Sequence, residues 1–150
     1  MYSNYIHLID QKGSGVDGGA SVAGGWETRD LNVELSDAGN LCVLAANQFT
    51  LQAGTYRILA SAPGYQSEPH QIRLYNITDI ALELTGTTEF NKGNNAITQA
   101  VLTGRFTIAV PKTFELQHQV NTSRAGNGHG AGNAWGNNIY AVVELWRESP

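Results

Sequence analysis

The length, composition and charge of this chain exclude several classes of protein. Its 150 residues fit one domain with a single core, predicted over residues 1–150. Charged residues make up 15% of the chain, against roughly 25% in ordinary globular domains. The net charge of -4 is scattered without a basic stripe, which argues against nucleic-acid binding. With no apolar span or signal-peptide pattern in the sequence, we expect no membrane association.

Apolar and polar residues alternate along the chain, and no window keeps a helical period. This pattern predicts about ten short strands and no helix. The predicted strands cover residues 5–10, 26–35, 41–51 (two strands with a bend at 45–47), 55–62, 70–77, 80–86, 96–110, 114–120 and 139–146. Turn residues predict a hairpin at Asp37–Asn40 and the end of a strand at Pro63. Gly104, inside the longest run, predicts a bulge or a bend from one sheet to the other.

Two long glycine-rich loops, 11–25 and 122–138, interrupt the strands. Loops longer than about 12–15 residues are uncommon unless they are functional or disordered. The second loop carries His129 in the run Gly-Asn-Gly-His-Gly-Ala-Gly, which predicts a flexible and exposed side chain. Exposed aromatic residues such as Trp135 are typical contact anchors. We therefore expect His129, Asn133 and Trp135 to touch a partner: a capsid surface, an adjoining subunit or a host glycan.

The last predicted strand is apolar on both faces. Ile139, Ala141, Val143 and Leu145 share one face, and Tyr140, Val142 and Trp146 share the other. An antiparallel strand usually keeps one face in water. Because one small domain has only one core, the second face predicts packing against another copy of the chain. The residues predicted to make core and trimer contacts are Trp26, Tyr56, Phe106, Phe114, Leu116, Tyr140, Val142 and Trp146.

Residues suited to chemistry are sparse and do not form a recognisable motif. Cys42 is the only cysteine, which excludes an internal disulfide and a cysteine-based zinc cluster. No His-x-His pair of the cupin kind occurs, and His118 lies on the apolar face of its strand, as a hydrogen-bonded core or interface histidine would. No Gly-x-Ser-x-Gly elbow is present. We therefore expect no catalytic residue, no metal and no cofactor, with cupin-like metal chemistry as the enzymatic alternative.

About ten strands in one domain indicate a two-sheet sandwich or barrel. An immunoglobulin domain is shorter and carries a Cys–Trp–Cys core, so a jelly roll is favoured. The run Phe49-Thr50-Leu51, followed by Ala53-Gly54-Thr55-Tyr56-Arg57-Ile58, resembles the strand–turn–strand of tumour-necrosis-factor (TNF) and C1q-like jelly rolls. That resemblance implies an all-β antiparallel jelly-roll sandwich that forms homotrimers through the aromatic and apolar face of one sheet.

The chain is also similar to bacteriophage virion proteins of this fold. The segments that carry the similarity are residues 73–78, 104–108, 114–118 and 140–146, within a likeness over about 26–147. It implies a non-enzymatic structural protein of the virion, a trimer that decorates or cements the capsid surface beside the major capsid protein. The alternative is the receptor-binding tip of a tail fibre or spike that recognises a host glycan. Because neither a collagen-like stalk nor a fibre shaft precedes the domain, we expect a free-standing trimer.

Overall fold

The computed structural model of the protein describes residues 4–148. Within this range the chain forms eleven strands and no helix, which confirms the predicted all-β class. The strands are β1 (Tyr5–Lys12), β2 (Glu27–Thr28), β3 (Val33–Asp37), β4 (Cys42–Ala45), β5 (Gln48–Leu51), β6 (Gly54–Tyr65), β7 (Glu68–Asn76), β8 (Ala81–Asn91), β9 (Ile97–Ile108), β10 (Lys112–Val120) and β11 (Asn138–Arg147). The described residues offer no helix of the length and hydropathy needed to cross a bilayer.

The strands form two antiparallel sheets. The five-stranded sheet has the order β3-β1-β11-β6-β9, and the six-stranded sheet has the order β4-β5-β10-β7-β8, with β2 paired to β10. The strand predicted to be apolar on both faces, β11, lies in the middle of the five-stranded sheet. Its neighbours are β1 and β6.

Alternation along the strands places one face of each sheet in a shared core. Four aromatic rings cross this core from sheet to sheet. Phe49 lies 5.9 Å from Phe114, which lies 5.3 Å from Phe106, which lies 5.8 Å from Tyr56 (ring centroids). Aromatic pairs at such distances contribute about 0.5–1.5 kcal/mol each beyond the area they bury. The rings therefore help to fix the two sheets in one arrangement.

The turn at Asp37–Asn40 forms but does not close a hairpin. Asn40 N–H donates to the Asp37 carbonyl at 3.1 Å, and the Asp37 carboxylate accepts hydrogen bonds from the backbone N–H groups of Leu41 and Cys42, each at 2.9 Å. However, β3 pairs with β1 and β4 pairs with β5, so the turn leads from one sheet to the other. The hairpin prediction is wrong because turn residues specify a reversal without specifying a strand partner.

Pro63 does not end β6, which continues to Tyr65 and pairs Pro63 with Gln99 of β9. On its other side β6 pairs with β11 only as far as Ser61, which lies opposite Val142. Since the pairing with β11 stops before Pro63, the missing proline N–H removes no ladder hydrogen bond on that side. The carbonyl oxygen of Pro63 instead accepts a hydrogen bond from Arg29 Nη1 at 2.8 Å.

Gly104 marks neither a bulge nor a change of sheet, since the whole of β9 belongs to the five-stranded sheet. The pairing of β6 with β9 runs without a register shift from Gly54–Ile108 to Tyr65–Ile97. A Cβ at Gly104 would lie 2.7 Å from Leu84 Cδ1. The glycine therefore allows β8 to pack closely against β9.

The single strand predicted over 26–35 is two strands, β2 and β3, which belong to different sheets. Leu31 is buried between them, whereas Leu35 is 52% exposed. Alternation within 26–35 predicts that Leu31, Val33 and Leu35 share one face of a single strand, and this prediction is wrong.

Candidate functional site

The outward surface of the five-stranded sheet is the candidate site, and it is called the outer face below. Ala141, Val143 and Leu145 of β11 are fully buried in the core. Alternation therefore points Val142, Glu144 and Trp146 outward. The register continues this surface across the neighbouring strands. It consists of Tyr5 and His7 of β1, Val142, Glu144 and Trp146 of β11, Arg57 and Leu59 of β6, and Thr103 and Arg105 of β9.

Aromatic and polar contacts order one side of the outer face. The rings of Tyr5 and Trp146 lie 5.3 Å apart, and the Tyr5 hydroxyl donates to Glu144 Oε1 at 2.9 Å. Burial, together with the hydrogen bond to and negative charge of Glu144, raises the pKa of Tyr5 to about 12. Tyr5 therefore stays a neutral hydrogen-bond donor at physiological pH.

The other side of the outer face forms an open cavity of about 760 Å³. Leu59, which is 42% exposed, and Trp146 supply apolar walls, and Arg57 and Arg105 border them. Arg105 is held by Glu148 through two hydrogen bonds of 2.7 and 2.8 Å. Tyrosine, tryptophan and arginine around an apolar centre are typical of protein interfaces.

The predicted contact residues separate into three groups. Tyr56, Phe106, Phe114 and Leu116 are buried in the chain's own core. Val142 and Trp146 are half-buried on the outer face. Trp26 lies against the outward surface of the six-stranded sheet, where the Arg73 guanidinium is 4.2 Å from its ring centroid.

Tyr140, the eighth predicted contact residue, is covered by the two glycine-rich loops. Its hydroxyl donates to the Val16 carbonyl at 2.7 Å. A Cβ at Gly130 would overlap Tyr140 Cδ1. The missing side chain at Gly130 therefore lets the loop backbone rest directly on the tyrosine ring.

The two loops form one packed layer rather than separate flexible connections. Gly18 N–H donates to the Gly130 carbonyl at 2.8 Å, and Ser21 pairs with Arg124 in an isolated bridge. The expectation of an exposed, flexible His129 is wrong, because its side chain is only 8% exposed beneath this layer. Asn133 and Trp135, the other predicted partner-contact residues, are exposed.

A buried polar cluster lies below the loops, and its central residue is Arg29. Arg29 is fully buried and donates to the Pro63 carbonyl at 2.8 Å, the His129 carbonyl at 2.9 Å and His118 Nδ1 at 2.9 Å. Sequence reasoning missed Arg29, because nothing in its neighbourhood along the chain predicts burial. Its three acceptors come from three distant segments.

The hydrogen bond donated by Arg29 determines which ring nitrogen carries the proton in His118 and then in His70. Because His118 Nδ1 accepts from Arg29, His118 carries its proton on Nε2 and donates to His70 Nδ1 at 2.9 Å. His70 then donates from Nε2 to Thr98 Oγ1 at 2.7 Å. Both rings are neutral in this chain of hydrogen bonds.

Burial and the nearby positive charge of Arg29 lower the pKa of His118 far below its usual range, with smaller contributions from His70 and His129. The same two causes lower the pKa of His129 to about 3. Burial also lowers the pKa of His70. Within residues 4–148, no three histidine, cysteine or acidic side chains meet as metal ligands would. The buried polar cluster therefore consists of neutral histidine rings around Arg29, and it supports the glycine-rich loops.

Known proteins resemble this chain in structure but not in sequence. No family model and no curated protein matches it. The globular domain of zebrafish complement 1qA protein is similar in structure, with a TM-score of 0.55, 14% identity and coverage of 98% of both chains. Murine APRIL, crystallised at pH 5.0, is similar with a TM-score of 0.61, 7% identity and coverage of 96% of this chain and 98% of that one.

These similarities extend over nearly the whole chain, while the identities of 14% and 7% are too low to carry function across. The chain has the jelly-roll fold of C1q- and TNF-like domains.

Proposed function

We propose that this chain is a non-enzymatic structural protein that works as a homotrimer through its outer face. The observation that carries the proposal is the exposed combination of Leu59 and Trp146, framed by Arg57 and Arg105, on the middle strands of one sheet. Partly exposed apolar residues with a polar rim are a common feature of interaction surfaces. The homotrimer implied by the resemblance to C1q- and TNF-like jelly rolls supports a second copy of the chain as the occupant.

At a finer level, we propose a virion protein of a tailed bacteriophage that decorates or cements the capsid surface. The similarity of residues 73–78, 104–108, 114–118 and 140–146 to phage virion proteins supports this role, and so does the low charge of the chain. A trimer presents three copies of a modest contact surface to the major capsid protein. Rigid presentation of several copies strengthens binding without any new contact.

The second candidate is the tip of a tail fibre or spike that binds a host-cell glycan. The observation that favours it is Trp135, whose side chain is 93% exposed. An antibody against the protein, imaged on the source phage by electron microscopy, separates the two locations. Label over the shell supports decoration, label confined to the tail supports the tip, and unlabelled particles contradict both.

Self-association is tested by sedimentation velocity of the purified protein at micromolar concentration. We expect a species of about 49 kDa, three times the 16.2 kDa of one chain. Leu59→Lys adds a positive charge beside Arg57 and Arg105 in the proposed interface, and we expect it to shift the protein to the monomer because an unpaired buried charge is costly.

The matched control is Leu82→Lys. Leu82 is 54% exposed on β8 of the other sheet, so this variant should sediment like the parent protein. Circular dichroism checks that both variants are folded. A parent protein that remains a monomer contradicts the proposed homotrimer, and equal sedimentation of both variants contradicts the assignment to the outer face.

A further inference from the structure

Trp135 is the most exposed large apolar residue within residues 4–148, at 93%. A single exposed apolar side chain is ordinary in itself. What distinguishes Trp135 is the rigid turn that carries it and the uncharged cavity beside that turn.

Asparagine side chains hold the turn in one conformation. The Trp135 backbone N–H donates to Asn133 Oδ1 at 2.9 Å, and the Asn133 N–H donates to Asn138 Oδ1 at 3.0 Å. Asn138 Nδ2 donates to the carbonyls of Gly13 at 3.1 Å and Asn133 at 3.0 Å. These bonds tie the turn to the first glycine-rich loop. A ligand that meets the ring therefore need not order the backbone, which lowers the entropic cost of binding.

The cavity beside the turn has a volume of about 230 Å³ and is lined by Asn133 and Asn137, which lie two residues to either side of Trp135. Trp135 itself does not line the cavity, so a ligand must extend beyond it to meet the indole. Gln99 adds a third exposed amide, and Ile97 and Ile139 add apolar surface. None of the lining residues is charged. Sites for drug-sized ligands span roughly 300–1,000 Å³, so this cavity suits a smaller group.

Amide side chains both donate and accept hydrogen bonds, as hydroxyl groups do. An anion or cation would find no opposite charge among the lining residues. An apolar side chain would cover the amides without replacing their hydrogen bonds to water, at about 1–3 kcal/mol for each unpaired group. A neutral sugar ring suits both the amides and the apolar surface, because it presents hydroxyl groups at its edge and C–H groups on its faces.

We propose that Trp135, Gln99 and Asn137 form a binding site for one ring of a neutral saccharide. The C–H face of the sugar packs against the Trp135 indole, and its hydroxyl groups exchange hydrogen bonds with the two amides. The proposal gives the second candidate function its ligand class. It does not require self-association, although Gln99 lies on the same side of β9 as Thr103 and Arg105 of the outer face.

The test uses saturation-transfer NMR with the purified full chain. The probes are methyl glycosides of glucose, galactose, mannose and N-acetylglucosamine, neutral oligosaccharides of the same sugars, and the anions glucuronate and inorganic phosphate. We expect at least one neutral probe to bind, with a Kd near the millimolar range that corresponds to about -4 kcal/mol. Trp135→Ala should weaken that binding at least tenfold, and Asn137→Ala severalfold.

Phe90→Ala is the matched control, since it removes another exposed aromatic ring, 60% exposed on β8. It should leave the Kd unchanged. Binding of none of the neutral probes overturns the proposal, as does binding of the anions alone or equal binding by Trp135→Ala. Sedimentation of the same samples reports self-association separately, so a monomer that binds saccharide would contradict only the homotrimer.

Discussion

At the scale of single residues, Arg29 is a charged side chain that lies fully buried without a carboxylate contact. Its guanidinium directs N–H groups at two carbonyls and at the acceptor nitrogen of His118. Burial lowers the pKa of Arg29 to about 10, against the raising effect of Asp10, Asp30 and Glu27. Arg29 therefore stays charged at neutral pH, which disfavours a second positive charge on His118 or His129.

The lowered histidine pKa values predict that the protein loses stability in mild acid. The unfolded chain binds protons as pH falls below about 6.5, the usual histidine value, whereas the folded chain keeps these rings neutral. The free energy of unfolding therefore has its full value above about pH 6.5 and decreases below it. For His129 this decrease continues down to its folded pKa of about 3. Urea unfolding between about pH 7.5 and 5.5 should show a falling free energy of unfolding, by up to about 1.4 kcal/mol per pH unit for each histidine.

His129→Gln serves as the comparison, because it removes one titrating ring at a side chain that is 8% exposed. The variant should show a shallower dependence than the parent over the same range. A free energy of unfolding that is flat or rises as the pH falls would contradict this account of the buried cluster.

At the scale of strands, alternation predicts an element well where one face meets the core. In β10 the residues Phe114, Leu116, His118 and Val120 are all buried, and the predicted strand at 114–120 lies within Lys112–Val120. The prediction fails where one alternating run of residues contributes strands to two different sheets. Residues 26–35 read as one strand, because the sequence does not show that the chain leaves one sheet at Thr28 and enters the other at Val33.

At Gly86 in β8, the backbones of the neighbouring strands leave no room for a side chain. A Cβ there would lie 2.7 Å from the Ile72 carbonyl oxygen and 3.0 Å from that of Val101. Gly86→Ala should therefore destabilise the protein by about 1–3 kcal/mol, the usual cost of overpacking. A shift in the urea midpoint measures it.

The control is Gly25→Ala in the first loop, where an added Cβ meets no atom within 4 Å. It should leave the midpoint nearly unchanged, since surface substitutions away from special features usually have small effects. Equal midpoints for Gly86→Ala and the parent would show that β7 and β9 can move apart at no cost.

At the scale of the whole molecule, composition and alternation predict the class but not the pairing of strands. β11 lies in the middle of its sheet, and Val142 and Trp146 on its second apolar face are half-buried. The packing of that face against another copy of the chain stays a prediction. The coverage of Tyr140 and His129 could not be predicted in the same way. It arises from contacts between loops that lie more than 100 residues apart, such as Ser21 with Arg124, and local sequence carries no record of such contacts.

The central place of β11 also governs the order of events during synthesis. β1 and β6 leave the ribosome early, yet each keeps an unsatisfied edge until residues 138–147 emerge to fill the gap between them. Long-range pairing of this kind makes folding slow. A nascent chain consequently presents open strand edges, at which another chain can mispair until β11 closes the sheet.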